Sequence, residues 1–250
     1  MVRRLPRCLV WIGLYVALIV YPTECAAYER DVHFSVTLWL AELIGFQEAN
    51  AFDFAALDDV TDYHPESQPL PTVADGLELG VRRRVLFHFV DRARVNELQR
   101  LALACTPKRT TRVQQRDIGH YLHAVSDFYS HEGYEAIAGH ALVFGFPDKP
   151  WNRPFQLRKM INEKFEALKI VFEKCIGGRV KSDIRHTDSQ LDGWEKKARD
   201  AGPYFASDGP DHWDRLQRDL YGGRYLRYTA VKVQEYNAWL NARRDEWGKR

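Results

Sequence analysis

The chain lacks several sequence features that mark common enzyme and structural classes. It contains no internal repeat, no low-complexity tract and no long alternation of apolar and polar residues, so repeat folds and half-exposed β-sheets are not expected. It also contains no Gly-rich phosphate loop, no GxSxG sequence and no HExxH sequence. These absences remove support for nucleotide-dependent transferases, serine hydrolases and the common zinc proteases.

Long apolar runs are also missing, apart from a short one near the N-terminus. Residues 8–21 are an unbroken apolar stretch of 14 residues, shorter than the roughly 20 that a membrane span needs. Arginines precede the stretch and small residues follow it, which predicts a secretory signal over residues 1–27. An uncleaved N-terminal anchor is the alternative interpretation. A lipoprotein signal is less favoured, because Glu24 occupies the place before Cys25 where a small residue is expected.

Net charge of either sign is nearly absent. The chain has 36 Lys and Arg against 34 Asp and Glu. Removal of residues 1–27 takes away three Arg and one Glu, which leaves 33 of each sign. The one tight basic run, residues 82–84, is interpreted as a solvated helix face rather than a phosphate contact. General nucleic-acid binding is therefore not predicted, since it needs clustered Lys and Arg.

Cysteine is scarce as well, and only Cys105 and Cys175 would remain after signal cleavage. In an oxidising compartment this pair is expected to form a disulfide, with two free buried thiols as the alternative. Residues 28–250 are long enough for one domain with a substantial core. The N-terminal pattern therefore predicts an exported protein, periplasmic or extracellular, with no transmembrane span in its mature part.

The remaining pattern predicts an all-α fold, a single-domain multi-helix bundle. Apolar residues recur at helical spacing, and Gly and Pro mark the breaks between segments. A Pro-rich connection over residues 63–82 is long enough to form the rim of a site. The predicted helices cover 32–44, 48–62, 83–104, a segment from Thr110 or Thr111 to about 131, 155–175, and two or three more that end with 229–247.

One predicted helix carries an unusual polar stripe. Residues 120–131 read HYLHAVSDFYSH, and on a helix His120, His123, Asp127 and His131 fall within an arc of about 80°. Burying several imidazoles beside a carboxylate costs several kcal/mol in lost hydration. A divalent cation removes that cost, because His nitrogen and Asp oxygen are suitable zinc ligands. The stripe therefore favours a metal site over its alternative, a polar core network.

Further candidate ligands lie on other predicted segments. A bundle core that closes round a metal draws its ligands from several helices in this way. The additional candidates are Asp31 and His33 in DVHFSVT, Asp58, Asp59, Asp62 and His64 in ALDDVTDYHP, His88 in FHF, and His140 and Asp148 in GHALVFGFPD.

The order of these segments resembles the zinc-dependent phospholipase C/P1 nuclease-like family, and more narrowly a bacterial branch of it. The resemblance covers roughly residues 31–150 and implies an all-α fold with two or three zinc ions. It implies that Asp127 bridges two metals. Phe144 occupies the position of a family glutamate, so either Asp148 or Glu135 substitutes for that ligand or the metal that it holds is absent. His120, His64 and Asp31 are expected either to contact the metal ligands from outside or to serve as alternate ligands. The implied metal ligands are His33, Asp62, His88, His123, Asp127, His131, His140 and Asp148.

Metals of this kind would direct the chemistry. Zinc lowers the pKa of a bound water from 15.7 towards about 7, and Asp58 or Asp59 would orient that water or accept its proton. The sequence therefore predicts a phosphodiester hydrolase acting on phospholipid head groups or small phosphoesters. The alternatives are a metal-stabilised helical protein without catalysis and a single-strand nuclease of the same fold.

Overall fold

The described part of the chain is entirely helical in its regular secondary structure. The computed structural model describes residues 30–68, 79, 82–105, 112–133, 149–202, 205 and 209–247. The all-α prediction is confirmed within these residues. The α-helices are α1 (Thr37–Ile44), α2 (Glu48–Val60), α3 (Arg92–Ala102), α4 (Arg112–Ser130), α5 (Pro154–Val171), α6 (Asp188–Ala201), α7 (Gly209–Tyr221) and α8 (Lys232–Trp247).

Several π-helical and 3₁₀ segments extend or link these helices. Two of the π-helical segments each carry one of the predicted ligands, His33 before α1 and His88 before α3. Such segments are rare and frequently occur at functional sites. The π-helical segments are Asp31–Val36, Arg84–His88, Phe172–Ile176 and Arg227–Val231, and the 3₁₀ segments are Pro150–Asn152, Ile184–Thr187 and Gly222–Arg224.

The predicted helix boundaries at glycines are confirmed, and one long helix is not. Gly45 ends α1 with a φ of 114°, and Gly177 ends the segment after α5 with a φ of 73°; both angles favour glycine. The single helix predicted over residues 83–104 is wrong, because the helical path breaks between His88 and Arg92. Asp91 caps the new start, its side chain accepting a hydrogen bond from the Arg94 backbone N–H.

Helix α4 lies at the centre of the fold, with α2, α3 and α5 packed against it. Gly119 permits the close approach of α2. A Cβ atom added at Gly119 would lie 2.6 Å from the backbone oxygen of Leu57, so no larger residue fits without a shift of the helices. The absent side chain therefore lets the end of α2 lie directly beside the polar stripe of α4.

A disulfide ties the periphery to this core. Cys105, after α3, is bonded to Cys175 in the segment that follows α5, with the two Cα atoms 5.4 Å apart. Such a pairing is consistent with an oxidising compartment. No helix in the described ranges is both long enough and apolar enough to span a membrane.

Candidate metal centre

Five buried side chains from four parts of the chain converge beside α4. Each is at most 8 % exposed. One comes from the π-helical segment before α1, one from the turn after α2, one from the π-helical segment before α3, and two from α4, four residues apart. These residues, called the histidine cluster below, are His33, Asp62, His88, His123 and Asp127.

The centre of the cluster is a set of four closely spaced donor atoms. The Nδ1 atom of His88, the Nε2 atom of His123 and the Oδ2 atom of Asp127 are each 3.1 Å from one another. The Oδ1 atom of Asp62 lies 3.4 Å from His88 Nδ1 and 3.6 Å from His123 Nε2. Two imidazoles and two carboxylates therefore point at the same small volume.

The outer nitrogens of the two imidazoles fix which atoms face inward. His88 Nε2 lies 2.7 Å from the backbone oxygen of Ser67, and His123 Nδ1 lies 3.0 Å from the backbone oxygen of Asp58. A carbonyl oxygen only accepts hydrogen bonds, so both outer nitrogens carry a hydrogen. In neutral rings the two inner nitrogens are then acceptors that face each other and two carboxylates. Only a proton or a cation between them makes this arrangement favourable.

The spacing of the four donor atoms suits a small divalent cation. Bonds of about 2.0–2.2 Å place the corners of a tetrahedron about 3.3–3.6 Å apart. Five of the six separations among the four atoms lie between 3.1 and 3.6 Å. Hydrogen bonds from the far side of each ring to backbone oxygens are the usual way in which ligating histidines are oriented. These buried His and Asp groups are therefore able to hold a metal ion.

His33 approaches the same centre from the other side of Asp127. Its Nε2 atom lies 3.3 Å from Asp127 Oδ1 and 4.0 Å from Asp62 Oδ2, and its ring stacks on that of His123 with centroids 4.2 Å apart. The two oxygens of Asp127 thus face different histidines. The role that the resemblance implies for Asp127, a bridge between two metals, stays a prediction.

Burial and neighbouring charges pull the pKa values of these groups in opposite directions. Burial raises the pKa of Asp62 to about 6 although the nearby histidines act to lower it. Burial acts in the same direction on Asp127, but His123 and other histidines outweigh it and hold the pKa of Asp127 well below its ordinary value. Burial and His123 lower the pKa of His33, yet Asp127 and Asp58 raise it on balance to about 9. Protons therefore compete with a cation for the inner donor atoms.

Asp58, one of the two residues predicted as a catalytic base, is held by three neighbouring side chains. Its Oδ2 atom accepts hydrogen bonds from Thr37 Oγ1 at 2.5 Å and from Lys164 Nζ at 2.6 Å. Its Oδ1 atom lies 3.0 Å from His33 Nδ1. Burial would raise the pKa of Asp58, but Lys164 and the two histidines outweigh it and hold that pKa well below its usual value. Because both oxygens already have donors, Asp58 is placed to hold His33 rather than to act on water.

The two ends of the predicted stripe separate in the structure. His131 stays close to the cluster, with Nε2 3.7 Å from Asp127 Oδ2 and its ring stacked on Phe89 at 4.0 Å. His120 instead lies against Phe87, with ring centroids 4.6 Å apart, and burial lowers its pKa to about 3. The structure thus brings three of the four stripe residues together and leaves His120 outside.

The other candidates that the structure describes have their own partners. In each case a neighbouring cation or aromatic ring contacts the side chain, and the catalytic role of Asp59 stays a prediction. Asp59 Oδ2 lies 3.4 Å from Arg30 Nε, the His64 ring packs edge-on against Trp247 with centroids 4.8 Å apart, and Asp31 accepts a hydrogen bond from Trp213 Nε1. The predictions for Glu135, His140 and Asp148, and for a helix start at Thr110 or Thr111, fall outside the described residues.

Sequence reasoning missed two residues that contact Asp58. Lys164 lies on the apolar face of α5 between Ile161 and Leu168, and it is fully buried. A lysine on an otherwise apolar stripe is the signal that could have identified it, since lysines are almost never fully buried unless paired. Thr37 gave no such signal, because threonine is ordinary within an apolar stretch such as FSVTLWL.

Comparisons with family models, curated proteins and solved structures return no match for this chain. The family suggested by the order of the motifs therefore stays a prediction, and the geometry of the histidine cluster carries the functional interpretation.

Proposed function

We propose that this protein is an exported metal-dependent hydrolase of phosphodiesters, with phospholipid head groups or small phosphoesters as substrates. The observation that carries the proposal is the set of inward-facing acceptors on Asp62, His88, His123 and Asp127. The order of the sequence motifs favours zinc as the metal. The N-terminal pattern and the Cys105–Cys175 disulfide support export.

The residues of the cluster divide into those that hold the cation and those that hold the ligands. A divalent cation at this centre supplies an activated water and neutralises charge that develops on phosphoryl oxygens. Asp62, His88, His123 and Asp127 provide the donor atoms, and His33 adds a fifth from the far side of Asp127. The backbone oxygens of Ser67 and Asp58 keep the imidazoles in one tautomer. The burial of all five side chains excludes bulk water from these contacts.

A second candidate function rests on that same burial. Structural zinc sites are closed by four protein ligands, whereas catalytic sites leave a position for water. Four donor atoms with tetrahedral spacing and at most 8 % exposure fit a closed site. A metal-stabilised helical protein without catalysis is therefore the competing proposal.

The first experiment measures bound metal. The full chain is produced with export to an oxidising compartment, and metal per chain is determined by elemental analysis. The wild type is expected to hold at least one zinc or comparable divalent ion, and His123→Ala with Asp127→Ala is expected to hold none. His120→Ala is the matched control, because it lies on the same helix but packs against Phe87. A folded wild type with less than about a tenth of an ion would contradict both candidates.

The second experiment separates the candidates by turnover. The metal-loaded protein is assayed with a chromogenic phosphocholine ester, with bis(p-nitrophenyl) phosphate and with single-stranded DNA. Hydrolysis of the first two that disappears in the double variant supports the proposed phosphodiesterase. Metal that is retained with no turnover on any of the three supports the structural role, and activity on DNA alone supports a nuclease.

A further inference from the structure

A buried lysine lies at the end of a chain of hydrogen bonds that leads to the histidine cluster. Lys164 is fully buried on the apolar face of α5. Its Nζ atom lies 2.6 Å from Asp58 Oδ2 and 2.8 Å from Thr37 Oγ1. A buried ammonium group requires such partners, because its desolvation is otherwise costly.

Asp58 contacts two histidines of the cluster, one through its side chain and one through its backbone oxygen. Its side-chain Oδ1 atom lies 3.0 Å from His33 Nδ1, and its backbone oxygen lies 3.0 Å from His123 Nδ1. The two imidazole rings are stacked on each other at 4.2 Å. One residue at the end of α2 therefore orients two rings. Its Oδ1 atom lies 3.0 Å from His33 Nδ1 and 3.6 Å from His123 Nδ1, so the closer side-chain contact is the one with His33.

Thr37 completes the restraint of the Asp58 carboxylate. Its hydroxyl group donates to Asp58 Oδ2 at 2.5 Å, while Lys164 donates to the hydroxyl oxygen and to the same carboxylate oxygen. The Oδ2 atom thus receives two donors and the Oδ1 atom remains directed at His33. The carboxylate has no freedom to rotate without breaking one of these bonds.

We propose that Lys164 and Thr37 are positioning residues that fix Asp58, and through it His33, for metal binding; this inference rests on the metal centre of the proposed function. The Asp58 carboxylate makes His33 Nδ1 the hydrogen-bearing nitrogen, which leaves Nε2 as the donor atom facing Asp127. Lys164 balances the charge of Asp58, so Asp62 and Asp127 are the carboxylates whose charge faces the cation.

The test compares variants that separate charge balance from orientation. Lys164→Met and Asp58→Asn each leave one buried group without its partner, so both are expected to lower folding stability. The double variant Lys164→Met with Asp58→Asn removes both charges together and is expected to recover stability. It still lacks the carboxylate that holds His33. Lys232→Met is the matched control, since Lys232 is a nearly buried lysine paired with glutamates away from the cluster.

The readouts are the affinity for Zn²⁺, from competition with a chromophoric chelator, and the visible absorption of the Co²⁺-loaded protein. The double variant is expected to bind Zn²⁺ about 10- to 100-fold more weakly, the usual loss when an outer partner of a ligand is removed. Its Co²⁺ spectrum is expected to change, because the ligand field depends on the orientation of His33. Lys232→Met is expected to keep both the wild-type affinity and the wild-type spectrum.

Several outcomes would overturn the inference. A folded double variant with affinity within twofold of wild type and an unchanged spectrum would show that Lys164 and Asp58 are merely a buried ion pair. If the double variant does not fold, Thr37→Val decides, because it keeps both charges and nearly the same volume; unchanged metal affinity in that variant also overturns the inference. A wild type that binds no metal overturns both this inference and the proposed function. Metal binding that weakens as expected, in a protein without phosphodiesterase activity, contradicts only the proposed function.

Discussion

The protein contains two regions rich in charge, and they are built in opposite ways. In the histidine cluster, acceptor atoms face one another and every side chain is buried. In a second region, where α1 and α2 meet the segments around α8, each carboxylate faces a cation. Arg224 lies 3.1 Å from Glu42, Arg227 lies 2.9 Å from Glu48, and Lys232 lies 2.8 Å from Glu48. These five residues are called the ion-pair network below.

The difference shows which property identifies a site in this fold. The ion-pair network borders a surface cavity of about 440 Å³, yet its charges are already paired. The histidine cluster lines neither this cavity nor the neighbouring one of about 280 Å³, yet its inner nitrogens and carboxylates require a proton or a cation. Unbalanced acceptors in a buried place therefore point to a ligand more strongly than the size of an opening does.

The largest expected effect in this comparison comes from removing one of two lysines: Lys164, which is linked to the histidine cluster through Asp58, or Lys232 of the ion-pair network. Lys164→Met leaves the buried Asp58 carboxylate without its ammonium partner, which is expected to lower the free energy of unfolding by about 3–5 kcal/mol. Lys232→Met breaks pairs with glutamates that are about half exposed, at 54 % and 50 %, and is expected to cost under about 1 kcal/mol. Urea unfolding of the metal-loaded proteins measures both values. Equal losses of unfolding free energy in the two variants would contradict the contrast drawn between the two regions.

Chelation gives the next largest effect. A ligand at about a hundredfold excess over its dissociation constant stabilises the folded state by about 2.7 kcal/mol, and each kcal/mol corresponds to about 2–4 °C in a protein of this size. A strong chelator is therefore expected to lower the melting temperature of the wild type by about 5–10 °C.

The control for chelation lies in the other region. Glu42→Gln changes the ion-pair network but leaves the cluster intact, so it is expected to show the same chelator-induced shift as wild type. His123→Ala is expected to show none. A wild type whose melting temperature does not respond to the chelator would count against a cation in the cluster.

Helix packing offers a third, smaller test through two glycines. Gly119→Ala forces a Cβ atom against the backbone of α2 at Leu57, which is expected to cost about 1–3 kcal/mol and to weaken metal binding by moving α2 away from His123. Gly193, within α6, has no atom within 4 Å of an added Cβ. Gly193→Ala is therefore expected to stabilise the protein by about 0.5–1 kcal/mol. Thermal unfolding and zinc titration of both variants measure these changes. An unchanged zinc affinity in Gly119→Ala would show that the contact between α2 and α4 does not influence metal binding.

The same contrast explains how much of the site was predictable from sequence. The stripe on α4 follows from helical periodicity, which correctly brings His123, Asp127 and His131 together. Periodicity does not set how a helix turns against its neighbours, so it could not exclude His120, which packs on Phe87. The all-α class follows from local patterns in the same way, because each helix is encoded within its own segment.

The parts that were not predictable depend on contacts between distant segments. Asp58 and Lys164 are 106 residues apart in the chain, and the sequence around either residue does not indicate that the two side chains pair. The contact with Lys164 cannot be read from the sequence, in which Asp58 is one of several acidic residues without an evident partner. For that reason the sequence predicted a catalytic base at Asp58 or Asp59. The π-helical segments that carry His33 and His88 likewise have no distinct local pattern, since they depend on how the chain packs onto α4.

The smallest test examines the ion-pair network by pH. Hydrogen bonds from Lys232 and Arg227 lower the pKa of Glu48 from 4.5 to about 2. A lowered pKa contributes stability that is complete above about pH 4.5 and is lost as the pH falls towards 2. Because Glu48 is largely exposed, solvent and salt reduce this contribution to under about 1 kcal/mol. Glu48→Gln should therefore be less stable than wild type at pH 7, with the difference shrinking near pH 3 and in high salt. A difference that stays constant from pH 7 to pH 3 would mean that Glu48 acts through packing and not through its charge, and the paired character assigned to this region would then be wrong.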